Sequence, residues 1–257
     1  MTAPAEATQP GSHRFIVVEG PIGVGKTSLA CRIGMSLSAD LVLEQATQNP
    51  FLERFYRNPR AGAFPAQLYF LFQRAQQLAA LKQQDLFSPV IVADYLLDKD
   101  RLFARVTLDE AEYALYEQVS AKLDIECPKP DLVVYLQAPV DVLLERIAKR
   151  GIGYEQSIDR QYLIRLNEAY ARFFHEYESS PLLIVNAASI DPVNNQNDYD
   201  ELFAAIQRMK KGRLYYNPMR HARLVLPTPM GPSTTMNRCE PGGVASTGAV
   251  MREGASF

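Results

Sequence analysis

The chain has 257 residues, enough for one large α/β domain with a tail. Its 27 lysines and arginines against 29 aspartates and glutamates leave a net charge of −2, which excludes the global basic field that draws nucleic acid or an anionic membrane. Cys31, Cys127 and Cys239 are odd in number and far apart, which excludes a disulfide framework and shows no metal spacing, so a reducing, cytoplasmic setting is expected.

Residues 1–13 are rich in Ala, Thr, Pro and Gly, lack the apolar core of a signal peptide, and read as a disordered lead. No apolar stretch approaches the length that spans a bilayer. A strand is expected at about 14–19, then Gly20-Pro21-Ile22-Gly23-Val24-Gly25-Lys26-Thr27-Ser28, then a helix at about 26–38. This is the strand–turn–helix context of G-x-x-x-x-G-K-[ST], the phosphate-binding P-loop. The chemistry needs these residue types: Gly20, Gly23 and Gly25 let the backbone curl so that N–H groups face phosphate oxygens, and the helix aims its positive end at the same place. Lys26 can reach the β and γ phosphates of a nucleoside triphosphate, and Thr27 can place a hydroxyl on Mg²⁺.

A short strand at 41–44 leaves Glu44 at its C-terminal end, and a helical turn after Asn49-Pro50 holds Phe51, Leu52, Phe55 and Tyr56. Asn58-Pro59-Arg60-Ala61-Gly62 reads as a break. A long helix follows at about 64–83, and Gln67 and Arg74 lie seven residues apart on its otherwise apolar stripe of Phe70, Leu71, Leu78 and Leu81. Polar groups on a buried stripe need partners: a nearby loop carbonyl or carboxylate is one reading, a polar ligand the other. Pro89–Asp94 reads as a buried parallel strand that delivers Asp94 to its C-terminal end, where open α/β sheets place ligands. Such a carboxylate serves as a Walker-B-type Mg²⁺ ligand, a general base or a helix cap.

The charged cluster Asp98, Lys99, Asp100, Arg101 reads as a solvated face. A helix is expected at 108–123, a strand at 131–136, and a helix from Pro139 to about Arg150 that puts Arg146 and Arg150 on one face. Gly151-Ile152-Gly153 is a hinge, and two arginines beside it suit a lid that closes on phosphates. A helix at 158–177, a strand at 182–186 and a helix at 198–209 complete the pattern. The alternation predicts a P-loop three-layer α/β/α fold with a five-stranded, mainly parallel sheet, a domain over 14–212 and a disordered tail over 213–257. Basic residues between Lys210 and Arg223, with tyrosines among them, read as a solvated C-terminus rather than a nucleic-acid patch.

These residues together resemble the deoxynucleoside kinase family, over about 14–210. Glu44 matches the family's glutamate near the substrate 5′-hydroxyl. Tyr56-x-x-Pro59 and Phe64-x-x-Gln67 keep the family's spacing; the resemblance implies that Tyr56 contacts the deoxyribose 3′-hydroxyl and Gln67 reads the base. Arg74 matches an arginine that pairs with an aspartate at the base edge in the deoxycytidine and purine branch, with Asp100, or alternatively Asp98, as that aspartate. Arg146-x-x-x-Arg150-Gly151…Glu155-x-x-Ile158 is similar to the family's lid, whose arginines clamp the transferring phosphoryl group and whose glutamate, here Glu155, reaches the 3′-hydroxyl. One departure stands out: where the family has an arginine after the third-strand carboxylate, this chain has Tyr95 after Asp94, which leaves that arginine's work to Arg101, to Arg74, or undone.

The resemblance implies transfer of the γ-phosphoryl of ATP, with Mg²⁺, to the 5′-hydroxyl of a deoxynucleoside, purine or deoxycytidine favoured, by a homodimer built through the helices near 64–83 and 108–123. Asp94 is the expected base with Glu44 as runner-up; Lys26, Arg146 and Arg150 offset charge on the transferring group; Gly20, Gly23, Val24, Gly25, Lys26, Thr27 and Ser28 hold the nucleotide; and Glu44, Tyr56, Gln67, Arg74, Asp100 and Glu155 form the acceptor pocket. The alternatives are a nucleoside monophosphate kinase of the thymidylate type and a non-catalytic accessory subunit of the same fold.

Overall fold

The architecture was obtained as a computed structural model, which describes residues 13–83, 90–123, 125 and 128–218. The lead at 1–12 and the tail beyond 218 lie outside the described residues.

Strand β1 (Phe15–Glu19) runs into the P-loop and helix α1 (Lys26–Leu37); β2 (Asp40–Val42) follows. Helices α2 (Leu52–Arg57) and α3 (Pro59–Gln83) precede β3 (Ile91–Ala93), and α4 (Lys99–Thr107) and α5 (Glu110–Leu123) precede β4 (Leu132–Gln137). Then come α6 (Val140–Arg150), α7 (Arg160–Glu176), β5 (Leu182–Asn186), α8 (Gln196–Arg208) and β6 (Arg213–Tyr216). The strands form one sheet in the order β2-β3-β1-β4-β5-β6. Every neighbouring pair is parallel.

Side chains alternate across this sheet as strand geometry requires. Ile16, Val18, Val134, Leu136, Leu183 and Val185 face one layer, where Leu29, Ile33, Leu202 and Ile206 from α1 and α8 cover them. Val17, Val133, Tyr135, Leu182 and Ile184 face the other, against Leu166, Tyr170 and Phe174 of α7 and Leu102 of α4. Burial on both faces is why these strands read as continuous apolar runs.

Three expectations change. Among the described residues the sheet has six strands, not five: residues 213–216, placed in the tail by composition, pair in parallel with β5 through Leu182↔Arg213 to Val185↔Tyr216. The break expected over Asn58–Gly62 narrows to Asn58, which leaves the helical conformation at φ −144°, because α3 begins already at Pro59, a position where the missing N–H costs nothing. Gly62 is needed there for contact rather than for a turn, since a Cβ would lie 2.4 Å from the Phe55 backbone nitrogen. The segment 98–101 is not a uniformly solvated face: Asp98 and Arg101 are exposed, whereas Lys99 and Asp100 are buried at the start of α4.

Candidate active site

The sheet order puts the C-terminal ends of β1, β2 and β3 side by side, so the P-loop, Glu44 and Asp94 converge. The loop geometry follows from its glycines. Gly23 has φ +82°, and a Cβ on it would fall 2.7 Å from Ile147 and 2.9 Å from the Leu143 carbonyl oxygen, so α6 packs directly on its backbone. No side chain caps the first turn of α1 and no acidic residue sits in it, which leaves its N–H donors for phosphate oxygens. Val24 is buried and closes the loop by donating its N–H to the Pro21 carbonyl (3.3 Å), while Ser28 lies exposed beyond Thr27. Lys26 arches over the loop, its Nζ donating to the carbonyls of Gly20 (2.8 Å) and Pro21 (3.1 Å). Burial and the neighbouring Lys99 ammonium bring its pKa down to about 8.

Asp94 joins the two halves of the site. Its Oδ2 accepts from the Thr27 hydroxyl at 2.5 Å, and its Oδ1 accepts from the Glu44 N–H at 2.7 Å. The Thr27 hydroxyl and the Asp94 carboxylate are hard oxygen donors side by side at the phosphate end of α1, the donor set Mg²⁺ takes in P-loop proteins. The residues present therefore fit that ion.

On the acceptor side lies a cavity of about 230 Å³, a size for one compact ligand, that reaches from Gly23, Lys26 and Thr27 to Tyr56, Gln67, Arg74, Arg150 and Glu155. Glu44 stands at the junction. Its Oε1 pairs with Arg74 and its Oε2 with Lys99 Nζ at 2.8 Å. Burial alone would push this carboxyl up, but the Lys99 ammonium and the Arg74 guanidinium together outweigh it and hold it down to about 2. Arg74 also pairs with Asp100 and lies between the rings of Phe70 (5.1 Å) and Tyr95 (5.2 Å). Asp100 rather than Asp98 is thus the aspartate beside Arg74; it pairs with the guanidinium but does not line the cavity. Gln67 is buried, with a long 3.4 Å contact from its Nε2 to the Thr107 hydroxyl.

A short 3-10 turn at Gly153–Ser157 roofs the cavity. Tyr154 stacks on Tyr56 at 5.7 Å between ring centroids, and burial raises the Tyr56 hydroxyl well above its ordinary pKa, so it stays a neutral donor. Arg150 pairs with the buried Glu155, and both line the cavity. Arg146 does something different from the expected clamp. Its terminal nitrogens donate to the carbonyls of Val24 (2.9 Å) and Ala187 (2.7 Å), bracing the P-loop against the segment after β5, and it does not line the cavity.

Two polar residues escaped the sequence reading. Lys99 lies between charged neighbours that suggest a solvated face, yet it is buried in the cavity wall. Glu19 ends an otherwise apolar strand, which is itself the available signal: it is buried, accepts from the Gly20 N–H (2.8 Å) and the Tyr170 hydroxyl (3.0 Å), and holds the Leu96 N–H (2.7 Å), so it ties the P-loop to the segment after Asp94. The Tyr162 hydroxyl, in the cavity wall, is buried without a hydrogen-bond partner among the described residues, as expected of a group that meets a polar ligand.

A parallel sheet with a P-loop, a hydroxyl–carboxylate pair beside it and an adjoining buried acceptor cavity defines a P-loop phosphotransferase. Within that class, the deoxynucleoside kinase family pattern matches residues 16–210, and the chain belongs to that family. It is 32% identical over 200 residues to the deoxyguanosine kinase of Bacillus subtilis, covering 76% of this chain and 97% of that one. It is 30% identical over 208 residues to the deoxyadenosine kinase of Lactobacillus acidophilus, covering 75% and 94%. Among solved structures, deoxyadenosine kinase from M. mycoides with bound dATP aligns at a TM-score of 0.65 and 25% identity, over 75% of this chain and 98% of that chain. A probable thymidylate kinase of Saccharolobus solfataricus matches more weakly, at 26% identity over 168 residues. Among the described residues, no helix is long and apolar enough to cross a membrane.

Proposed function

We propose that this kinase transfers the γ-phosphoryl group of ATP to the 5′-hydroxyl of a deoxynucleoside, with purine deoxynucleosides and deoxycytidine preferred over thymidine. The observation that carries the reading is Asp94, which contacts the P-loop through Thr27 and the acceptor cavity through the Glu44 backbone. In this reading the P-loop amides and Lys26 bind the donor phosphates, and Thr27 and Asp94 would hold Mg²⁺, which would supply charge to offset the phosphates. Both carboxylates are engaged, Asp94 by the Thr27 hydroxyl and the Glu44 N–H, and Glu44 by Arg74 and Lys99; Asp94 is the proposed base, and Glu44, at the junction with the acceptor cavity, is the runner-up that would orient the acceptor hydroxyl. Arg150, which lines the cavity, would meet the transferring group, and Arg146 would act by bracing the P-loop.

Tyr56 and Glu155 would contact the sugar, while Gln67 and the Arg74 edge set by Asp100 would read the base. Relatives named deoxyguanosine and deoxyadenosine kinase support a purine preference. A neutral nucleoside suits this cavity better than a monophosphate: on its acceptor side Arg74, Lys99 and Arg150 each already face a carboxylate. The test is ATP turnover with deoxynucleosides against deoxynucleoside monophosphates; turnover confined to the monophosphates would assign the chain to the thymidylate type.

Assembly as a homodimer through α3 and α5 is part of the same proposal, supported by the exposed Phe72 and Leu115 on those helices. Sedimentation of the full chain should give twice the monomer mass, and Phe72→Asp should shift it toward the monomer; a monomeric wild type would remove the dimer.

A further inference from the structure

Lys99 occupies a place that costs free energy. Its side chain is 5% exposed, and an ammonium withdrawn from water is stable only with a partner. It is the first residue of α4, where the helix dipole disfavours positive charge. It also acts on Lys26 as a nearby like charge. Against these, its Nζ donates to Glu44 Oε2 at 2.8 Å and lies over the Phe103 ring at 5.3 Å, within the cavity wall. Tyr95, which follows Asp94, supplies no charge to the cavity: its hydroxyl donates to Gln77 Oε1 at 2.8 Å, and Gln77 in turn donates to the Leu43 carbonyl at 3.1 Å. Arg101 is equally absent, being 62% exposed and paired with Glu117 at 3.3 Å.

We propose that Lys99 is the positioning residue for the transfer step: it fixes the Glu44 carboxylate at the junction of acceptor cavity and P-loop. Arg74 holds Oε1 of Glu44 and Lys99 holds Oε2, so a single carboxylate orientation is set from two sides.

The inference rests on the deoxynucleoside kinase reading, and wild-type turnover of a deoxynucleoside establishes that reading first. Against that baseline, Lys99→Met should lower kcat by about 100-fold while KM for ATP and for the deoxynucleoside each stay within about 3-fold. Lys99→Arg should recover at least about 10-fold of the loss, because the charge and the bond to Oε2 return. In a Glu44→Gln background the Lys99→Met change should alter kcat by less than about 3-fold, since groups that act as a unit are not additive. An unchanged kcat in Lys99→Met, an equal loss in both backgrounds, or no recovery by arginine would overturn the assignment while leaving the kinase reading standing. If circular dichroism shows that the methionine variant does not fold, Lys99→Gln, which keeps a donor and loses the charge, takes the same three comparisons.

Discussion

Replacing Arg74 by methionine tests the buried network directly. The Arg74 and Asp100 side chains are each 3% exposed, and the Arg74 guanidinium also pairs with Glu44. Methionine fills much the same volume on α3 but leaves Asp100 as a buried carboxylate whose only ion-pair partner among the described residues is gone, and leaves Glu44 to Lys99 alone. Breaking a buried pair by removing one member costs about 3–5 kcal/mol, a large share of the roughly 5–15 kcal/mol that holds a domain together. With a urea m-value near the upper end, about 3 kcal/mol/M, the midpoint should fall by about 1–2 M at unchanged slope. Adding Asp100→Leu removes the stranded charge. Because replacing a whole buried pair by apolar residues is often neutral, the double variant should regain at least about 2 kcal/mol over Arg74→Met alone. Equilibrium urea unfolding followed by circular dichroism reads both numbers. A loss under about 1 kcal/mol in the single variant, or a further loss in the double, would refute the reasoning.

Three other outcomes are expected. Asp94→Asn keeps an acceptor for the Glu44 N–H but removes the charge beside Thr27, so turnover should drop by at least about 100-fold while ATP binding by calorimetry changes little; near-normal turnover would remove Asp94 from the transfer site. Gln67→Ala should raise the deoxynucleoside KM by about 10-fold, the loss of one hydrogen bond to the base, and a KM unchanged for every nucleoside would take Gln67 out of the pocket. Gly62→Ala drives a methyl group into the Phe55 backbone and should cost about 1–3 kcal/mol in the same unfolding assay, whereas wild-type stability would show that α2 and α3 can part freely.

What the sequence made legible was what local chemistry dictates. The P-loop needs glycines, a lysine and a hydroxyl at fixed spacing within one strand–turn–helix, and Phe15–Glu19 through α1 carries all of it in consecutive residues. Gln67 and Arg74 stood out because polar residues on an apolar stripe demand partners. Lys99 did not, because its reason for being buried lies in Glu44, 55 residues away in the chain, while its immediate neighbours Asp98 and Arg101 are solvated. Strand β6 is only four residues, Arg213-Leu214-Tyr215-Tyr216, directly after the basic Lys210-Lys211-Gly212, so its short apolar run reads as part of a solvated basic segment; pairing with β5 creates the strand. Arg146 and Arg150 share a helix face in the sequence, yet only Arg150 reaches the cavity, because α6 packs against Gly23 and turns Arg146 onto backbone carbonyls.

The most direct measurement of the central claim is product formation from ATP, with Mg²⁺, and each of the four deoxynucleosides in turn, with the product's phosphate position read by phosphorus NMR. The expected products are deoxynucleoside 5′-monophosphates, formed more efficiently from deoxyguanosine, deoxyadenosine or deoxycytidine than from thymidine. No phosphorylation of any of the four, or phosphate placed elsewhere than the 5′-oxygen, would contradict it.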